Sequence, residues 1–375
     1  MLFSKKTKIK FKKILYPFFN IFSKKYIVKR VDIEPSKSIL VEKAILELAE
    51  NIDFLKHQKV LEYDGTPKIL KSDIKIDFYE DVYIDLHTGV VVNKDKDIII
   101  QSLKNLDRTE TDLAKLDKYV EIKEELISVI NPHLNVGYFH IWFDGIIKLY
   151  YLSKLDKKVT IVLCKKDTKA FSNVLELFKD KFKVIYIDDF RFIKVKNTCV
   201  VKHLYWAKHA PYFNTKMADF FSPTILNNSS NIQIFDKIYI KRKGTSRSII
   251  NNKEVESIFE KFGFEIISFE DYTIFEQARL VNNAQIIAGL HGAGFTNLIF
   301  SKPNLTLIEL QNHAVVPSYY FMSYQLSLKY YPIFSLTTNV DEIRDPYKER
   351  EKFYSQKLEP VRYDINEIKS VLEKI

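Results

Sequence analysis

Ile286-Ile287-Ala288-Gly289-Leu290-His291-Gly292-Ala293-Gly294-Phe295-Thr296-Asn297 is the stretch on which the fold turns. An apolar, buried strand runs into small residues, and a helix then begins. That order aims backbone N–H groups at the crevice beyond the strand ends, where phosphate is favoured. Gly292 and Gly294 let a ligand approach the backbone closely. His291 can hydrogen-bond a phosphate or sugar oxygen; the alternative is a tight turn with a satisfied histidine. Neither a G-x-G-x-x-G fingerprint nor a Walker loop is present.

Upstream, the spacing predicts strand Lys237–Lys241, helix Asn252–Phe262, strand Phe264–Phe269, helix Thr273–Asn283 and strand Gln285–Leu290. Downstream come a short helix, Phe295–Phe300, and strand Thr306–Leu310. Alternation of this kind predicts a parallel sheet covered by helices. In the first half, short strands are expected at Val82–Leu86, Gly89–Val92 and Ile98–Ile100, with a long apolar helix over 138–152. Strand Val159–Cys164, helix Phe171–Phe178 and strand Lys183–Asp188 follow. Residues Ala207–Asn231 lose periodicity around Pro211 and Pro223 and read as the crossing between domains. Residues 341–352 read as an exposed connection and Ile365–Ile375 as a final helix. The expected fold class is α/β, with two doubly wound, Rossmann-like domains facing across a cleft. The expected divisions are a basic amphipathic tail (1–30), a first α/β domain (31–215), a second α/β domain (216–345) and a C-terminal linker and helix (346–375).

The charge pattern separates the tail from the body. The 375 residues hold 58 Lys+Arg against 48 Asp+Glu. Residues 1–30 carry ten of the bases and no acid, so residues 31–375 balance at 48 of each sign. A neutral body argues against a nucleic-acid partner, although a basic-tail nucleic-acid-binding protein remains the rival from another class. The tail encloses an aromatic patch, Ile14–Phe22, which fits an anionic membrane surface; a solvated terminus is the plainer alternative. Pro17 and Asn20 interrupt that patch, which argues against a secretory signal. Cys164 and Cys199 lie in apolar runs and read as buried thiols in a reducing compartment.

Arg242, Lys243 and Arg247 follow strand Lys237–Lys241, where arginine forks suit bidentate contact with a diphosphate. Glu309, inside the strand Thr306–Leu310, needs a partner: ribose hydroxyls, Arg242 or a backbone cap. His140 and Asp144 share a helix face, either as a pair satisfied internally or as a base for an acceptor hydroxyl. Asp95-Lys96-Asp97 matches a metal-binding Asp-x-Asp pattern but sits between short strands, where a hairpin turn is expected.

Taken together, Ile240-Lys241-Arg242-Lys243, Arg247, Asn251, Glu254-Val255, Glu276-Gln277, Leu280, Ala284, the segment 287–297, Pro303 and Ile308-Glu309-Leu310 resemble glycosyltransferase family 61. Gly137–Asp144 resembles the His/Trp/Asp-containing helix of that family more loosely. The resemblance implies a GT-B architecture and inverting transfer from a nucleotide-sugar donor to a glycan acceptor, with no metal or other cofactor. By that likeness Arg242 and Arg247 contact the diphosphate, and His291, Gly292, Ala293 and Gly294 line the donor site. Glu309 holds the ribose, Asn251 and Asn297 support the loops, and Glu276 organises its helix. The base is Asp144 or His140. With the tail, the expectation is a cytoplasmic enzyme peripheral on the inner face of the cell membrane, acting on a lipid-linked glycan in capsule or lipopolysaccharide synthesis. A non-catalytic sugar-nucleotide-binding partner is the other alternative.

Overall fold

The computed structural model describes residues 30–31, 34–48, 68–99, 113–130, 137–164, 169–202, 205–207, 210–243, 248–312, 318–336 and 360–375. The basic tail short of Arg30, Arg247 and the charged stretch 341–352 lie outside them.

The second half forms a five-stranded sheet: β1 (Lys237–Ile240), β2 (Glu265–Ile267), β3 (Ile286–Leu290), β4 (Thr306–Leu310) and β5 (Lys329–Ile333). Every pair is parallel, and the spatial order is β2-β1-β3-β4-β5. All residues of β4, and all but the first of β1 and of β3, are buried, as parallel strands covered on both faces require. The chain leaves β1 toward one edge and later returns to β3 on its other side. The carboxyl ends of β1 and β3 therefore flank the topological switch point of the sheet.

The first half forms a 10-stranded sheet that is mixed rather than uniformly parallel. The long strand Lys68–Asp85 runs antiparallel to both Lys37–Leu48 and Phe192–Val201. Beyond Phe192–Val201, Ile127–Val129, Thr160–Cys164 and Lys183–Ile187 continue in parallel, and at the opposite edge Arg30–Val31 pairs in parallel with Ile98–Ile99. The doubly wound expectation for this half is corrected accordingly. Around Ile74-Lys75-Ile76 the isoleucines are buried and the lysine exposed, the alternation of an antiparallel strand with one wet face.

Seven helices matter for the site: α1 (residues 138–152), α2 (Lys169–Glu176), α3 (Thr215–Asn227), α4 (Asn252–Lys261), α5 (Ile274–Asn283), α6 (Ser318–Gln325) and α7 (Ile365–Leu372). α1 is α-helical at Tyr138–His140 and Lys148–Leu152 and π-helical at Ile141–Ile146 between them, where the Ile147 N–H reaches back to the Trp142 carbonyl. α3 occupies the stretch expected to be an irregular crossing. The Asn214 side chain accepts from the Met217 N–H and starts it, and Met217, Phe221 and Ile225 form its buried stripe. Each buried side chain of that size stabilises by about 1.5–3 kcal/mol, which outweighs the hydrogen bond lost at Pro223. A single buried cluster runs from Ile74 and Trp142 through Phe221 to Ile287, Phe300 and Tyr319, so the two halves share a core across residue 215. α7 packs into the second sheet's own core through Ile368 and Leu372.

Candidate active site

Arg242, just past β1, folds back so that Nη1 donates to the His291 carbonyl at 3.2 Å. Two glycines make this possible. A Cβ on Gly292 would collide with that same Nη1, and one on Gly289, at φ 157°, would stand 2.7 Å from the Ile240 carbonyl oxygen. Arg242 and the His291 turn therefore meet at the switch point. Burial pulls the Arg242 guanidinium below its ordinary value, with Glu270 opposing the effect. Lys243 points away, paired with Asp271 at the surface.

Behind the turn lies a buried polar chain. His291 Nδ1 is 2.5 Å from Glu309 Oε1, the Tyr330 hydroxyl donates to Glu309 Oε2 at 2.6 Å, and Gln311 Nε2 donates to Tyr330 at 3.0 Å. Glu309 is 0% exposed and both its oxygens are engaged. It is off the cavity wall described below, and its two oxygens meet His291 and Tyr330. Burial and the Glu309 charge push the Tyr330 phenol well above its usual range and keep it a donor.

Asn297 joins three elements. Its Oδ1 accepts from the Tyr138 hydroxyl at 2.7 Å, and its Nδ2 donates to Gln277 Oε1 at 2.9 Å and to the Gly294 carbonyl at 3.1 Å. Asn251 is engaged elsewhere: it clasps the backbone of Tyr363 through both amide atoms, which ties α7 to the sheet. Glu276 closes a capping box with Thr273 at the start of α5.

A cavity of about 270 Å³ opens where these parts converge. Arg242, Gly292, Ala293 and Gly294 line it, as does Tyr138 from the first half. His291, Asn297, Glu309 and Asn251 stand outside its wall. Tyr138, Glu270 and Gln277 were not singled out by sequence as cavity residues. Tyr138 carried a signal in its place beside His140 in the first-domain motif, and Gln277 in the pair Glu276-Gln277 of the resemblance.

His140 Nδ1 lies 2.8 Å from Asp144 Oδ2. The Asp144 side chain is 2% exposed and that of His140 31% exposed. Neither lines the cavity, but His140 is two residues from Tyr138, which does. The rings of Phe139 and His291 both pack on Tyr319, at 6.0 and 5.3 Å. Asp95 and Asp97 sit in the expected hairpin turn, where both backbone N–H groups bond to the Asn93 side chain. Cys164 and Cys199 are buried free thiols, and burial pushes the Cys199 thiol up to about 12.

Comparison with known proteins adds an independent line. The chain is 34% identical over 92 residues to "Alpha-1,3-arabinosyltransferase XAT3" of Oryza sativa subsp. japonica, covering 24% of this chain and 16% of that protein. It is 30% identical over 86 residues to "Protein O-linked-mannose beta-1,4-N-acetylglucosaminyltransferase 2" of Homo sapiens, covering 22% and 15%. "EGF domain-specific O-linked N-acetylglucosamine transferase" of Drosophila melanogaster is 30% identical over 77 residues, covering 20% and 15%. These matches thus span only about a sixth of the relatives' length, 15–16%. The family model described as Glycosyltransferase 61 matches from Tyr138, at the head of α1, to Ile308 in β4, and on that match residues 138–308 make up a glycosyltransferase 61 domain.

Proposed function

We propose that the chain transfers a sugar from a nucleotide-sugar donor to a glycan hydroxyl, with inversion. The observation that carries this is the Arg242 guanidinium seated on the His291–Gly292 turn at the switch point, on the wall of a cavity. There the guanidinium and the N–H groups of Gly292–Gly294 meet the charge of a diphosphate as it departs. In their printed names the relatives transfer two different sugars, arabinose and N-acetylglucosamine. Shared recognition therefore concerns the diphosphate end.

The acceptor approaches from the side of Tyr138. Its hydroxyl oxygen attacks the anomeric carbon, the bond from that carbon to the diphosphate oxygen breaks, and the electron pair leaves with the nucleoside diphosphate. His140 takes the proton. Asp144, 2% exposed, holds the imidazole in position rather than meeting the acceptor itself. In this scheme Arg242 supplies the positive charge and no metal is required. We further propose that residues 1–30 seat the enzyme on the anionic inner face of a membrane, beside a lipid-linked surface glycan. Among the described residues no helix is long and apolar enough to cross one.

The test is Arg242→Ala in a nucleotide-sugar turnover assay. A loss beyond tenfold, about 1.4 kcal/mol, is expected; turnover within tenfold of wild type overturns the reading.

A further inference from the structure

A second cavity, of about 170 Å³, also borders the β1 exit. It shares Ile240, Lys241, Arg242 and Leu290 with the first and is otherwise walled by α4 and the residues leading into it: Ser248, Asn252 and Glu256. Ligand pockets usually run to ~300–1,000 Å³. Neither cavity reaches that size alone, and Arg242 lines both. On the donor reading above, on which this inference rests, we infer that the nucleotide sugar straddles Arg242. The sugar lies in the larger cavity, and the nucleoside lies in the smaller one against Asn252 and Glu256.

Three features set that direction. Tyr138 and the nearby His140 stand on the side of the larger cavity, so the reacting carbon belongs there. Glu256 disfavours phosphate on the α4 side of the smaller cavity, away from Arg242, and suits a base edge that donates N–H. Finally, Asn252 Nδ2 donates to Glu256 Oε1 at 2.9 Å and so orients the carboxylate. Among the described residues nothing donates to its second oxygen. A carboxylate only accepts, so Glu256 selects a base by the N–H groups on its edge.

Both residues are partly exposed on one helix face, which makes Glu256→Gln and Asn252→Ala mild changes for folding. Calorimetry on the full chain would compare inorganic pyrophosphate with UDP, GDP, CDP and ADP. Wild type is expected to bind at least one nucleoside diphosphate more tightly than pyrophosphate. Each variant should then lose about tenfold for that nucleotide while keeping its pyrophosphate affinity and melting temperature. Equal nucleotide affinity in wild type and both variants overturns the nucleoside subsite and leaves the donor reading standing. So does a nucleotide that binds wild type no better than pyrophosphate, or an equal loss of pyrophosphate binding in the variants. Failure of wild type to bind pyrophosphate or any nucleotide overturns the donor reading itself.

Discussion

Gly292 sits directly beneath the Arg242 guanidinium, with no room for a methyl group between them. Gly292→Ala should therefore act as a distant Arg242 variant. Its backbone is extended, so the new side chain strains nothing locally and must instead displace the guanidinium. A charged hydrogen bond of about 1.5–3 kcal/mol is lost, roughly ten- to hundredfold in kcat/KM. Steady-state kinetics beside a melting curve would check this. Wild-type kcat/KM would show that Arg242 keeps its task wherever it moves.

Removing the Glu309 carboxylate should cost stability even without ligand. Glu309→Ala leaves the His291 imidazole and the Tyr330 hydroxyl facing a buried gap, and breaking such a buried pair costs about 3–5 kcal/mol. Urea unfolding of the ligand-free protein measures it. A ribose-binding residue without that structural duty would leave the unfolding midpoint in place and weaken only nucleotide binding.

Alkaline pH should unfold the protein through its buried phenols. The Tyr330 value is raised in the fold, first by burial and then by Glu309. Its contribution is fully present below the unfolded value of about 10 and drains away as pH rises from there toward the folded value. Over that window each such tyrosine lowers stability by about 1.4 kcal/mol per pH unit. Tyr330→Phe should flatten the slope between pH 10 and 11.5 by about one proton's worth. An unchanged slope in urea titrations would remove Tyr330 from the account.

Asp144→Asn should separate chemistry from binding. The imidazole loses the carboxylate that holds it, so kcat should fall by about 10²–10⁴ while nucleoside diphosphate affinity stays within twofold. Single-turnover rates and calorimetry on the same preparation give both numbers. A kcat near that of wild type would dismiss His140 as the base.

Cutting the chain before Val31 should abolish sedimentation with phosphatidylserine vesicles, since each basic residue contributes about 1 kcal/mol near the headgroups. The full chain should release in high salt. Equal retention of both forms on vesicles would dismiss the tail as the membrane contact.

The second sheet was legible because its strands are short, apolar and separated by helices, so local pattern and tertiary burial agree. The same holds for Arg242 and the glycine turn, where the demand for small residues is itself local. Elsewhere the two disagree. Lys37–Leu48 has no regular alternation and Lys68–Asp85 alternates only around Asp73–Asp77, and only their antiparallel pairing makes long strands of them. α3 hides its stripe of Met217, Phe221 and Ile225 behind Pro223. Glu309 was visible as a buried acid in need of a partner, but that His291 and Tyr330 supply it depends on the register of three adjacent strands. Glu270 reaches the cavity through the placement of a whole element, which no nearby residue announces.

The Asn297 amide also bears on how the molecule could open. It is wholly buried and holds Tyr138, Gln277 and Gly294 together. Prising the lobes apart would leave a buried acceptor bare, at about 1–3 kcal/mol, and would wet the contact between Trp142 and Phe300. The scaffold therefore resists rocking as two jaws, and on the proposed reading a spent nucleotide would leave by side-chain shifts at the rim.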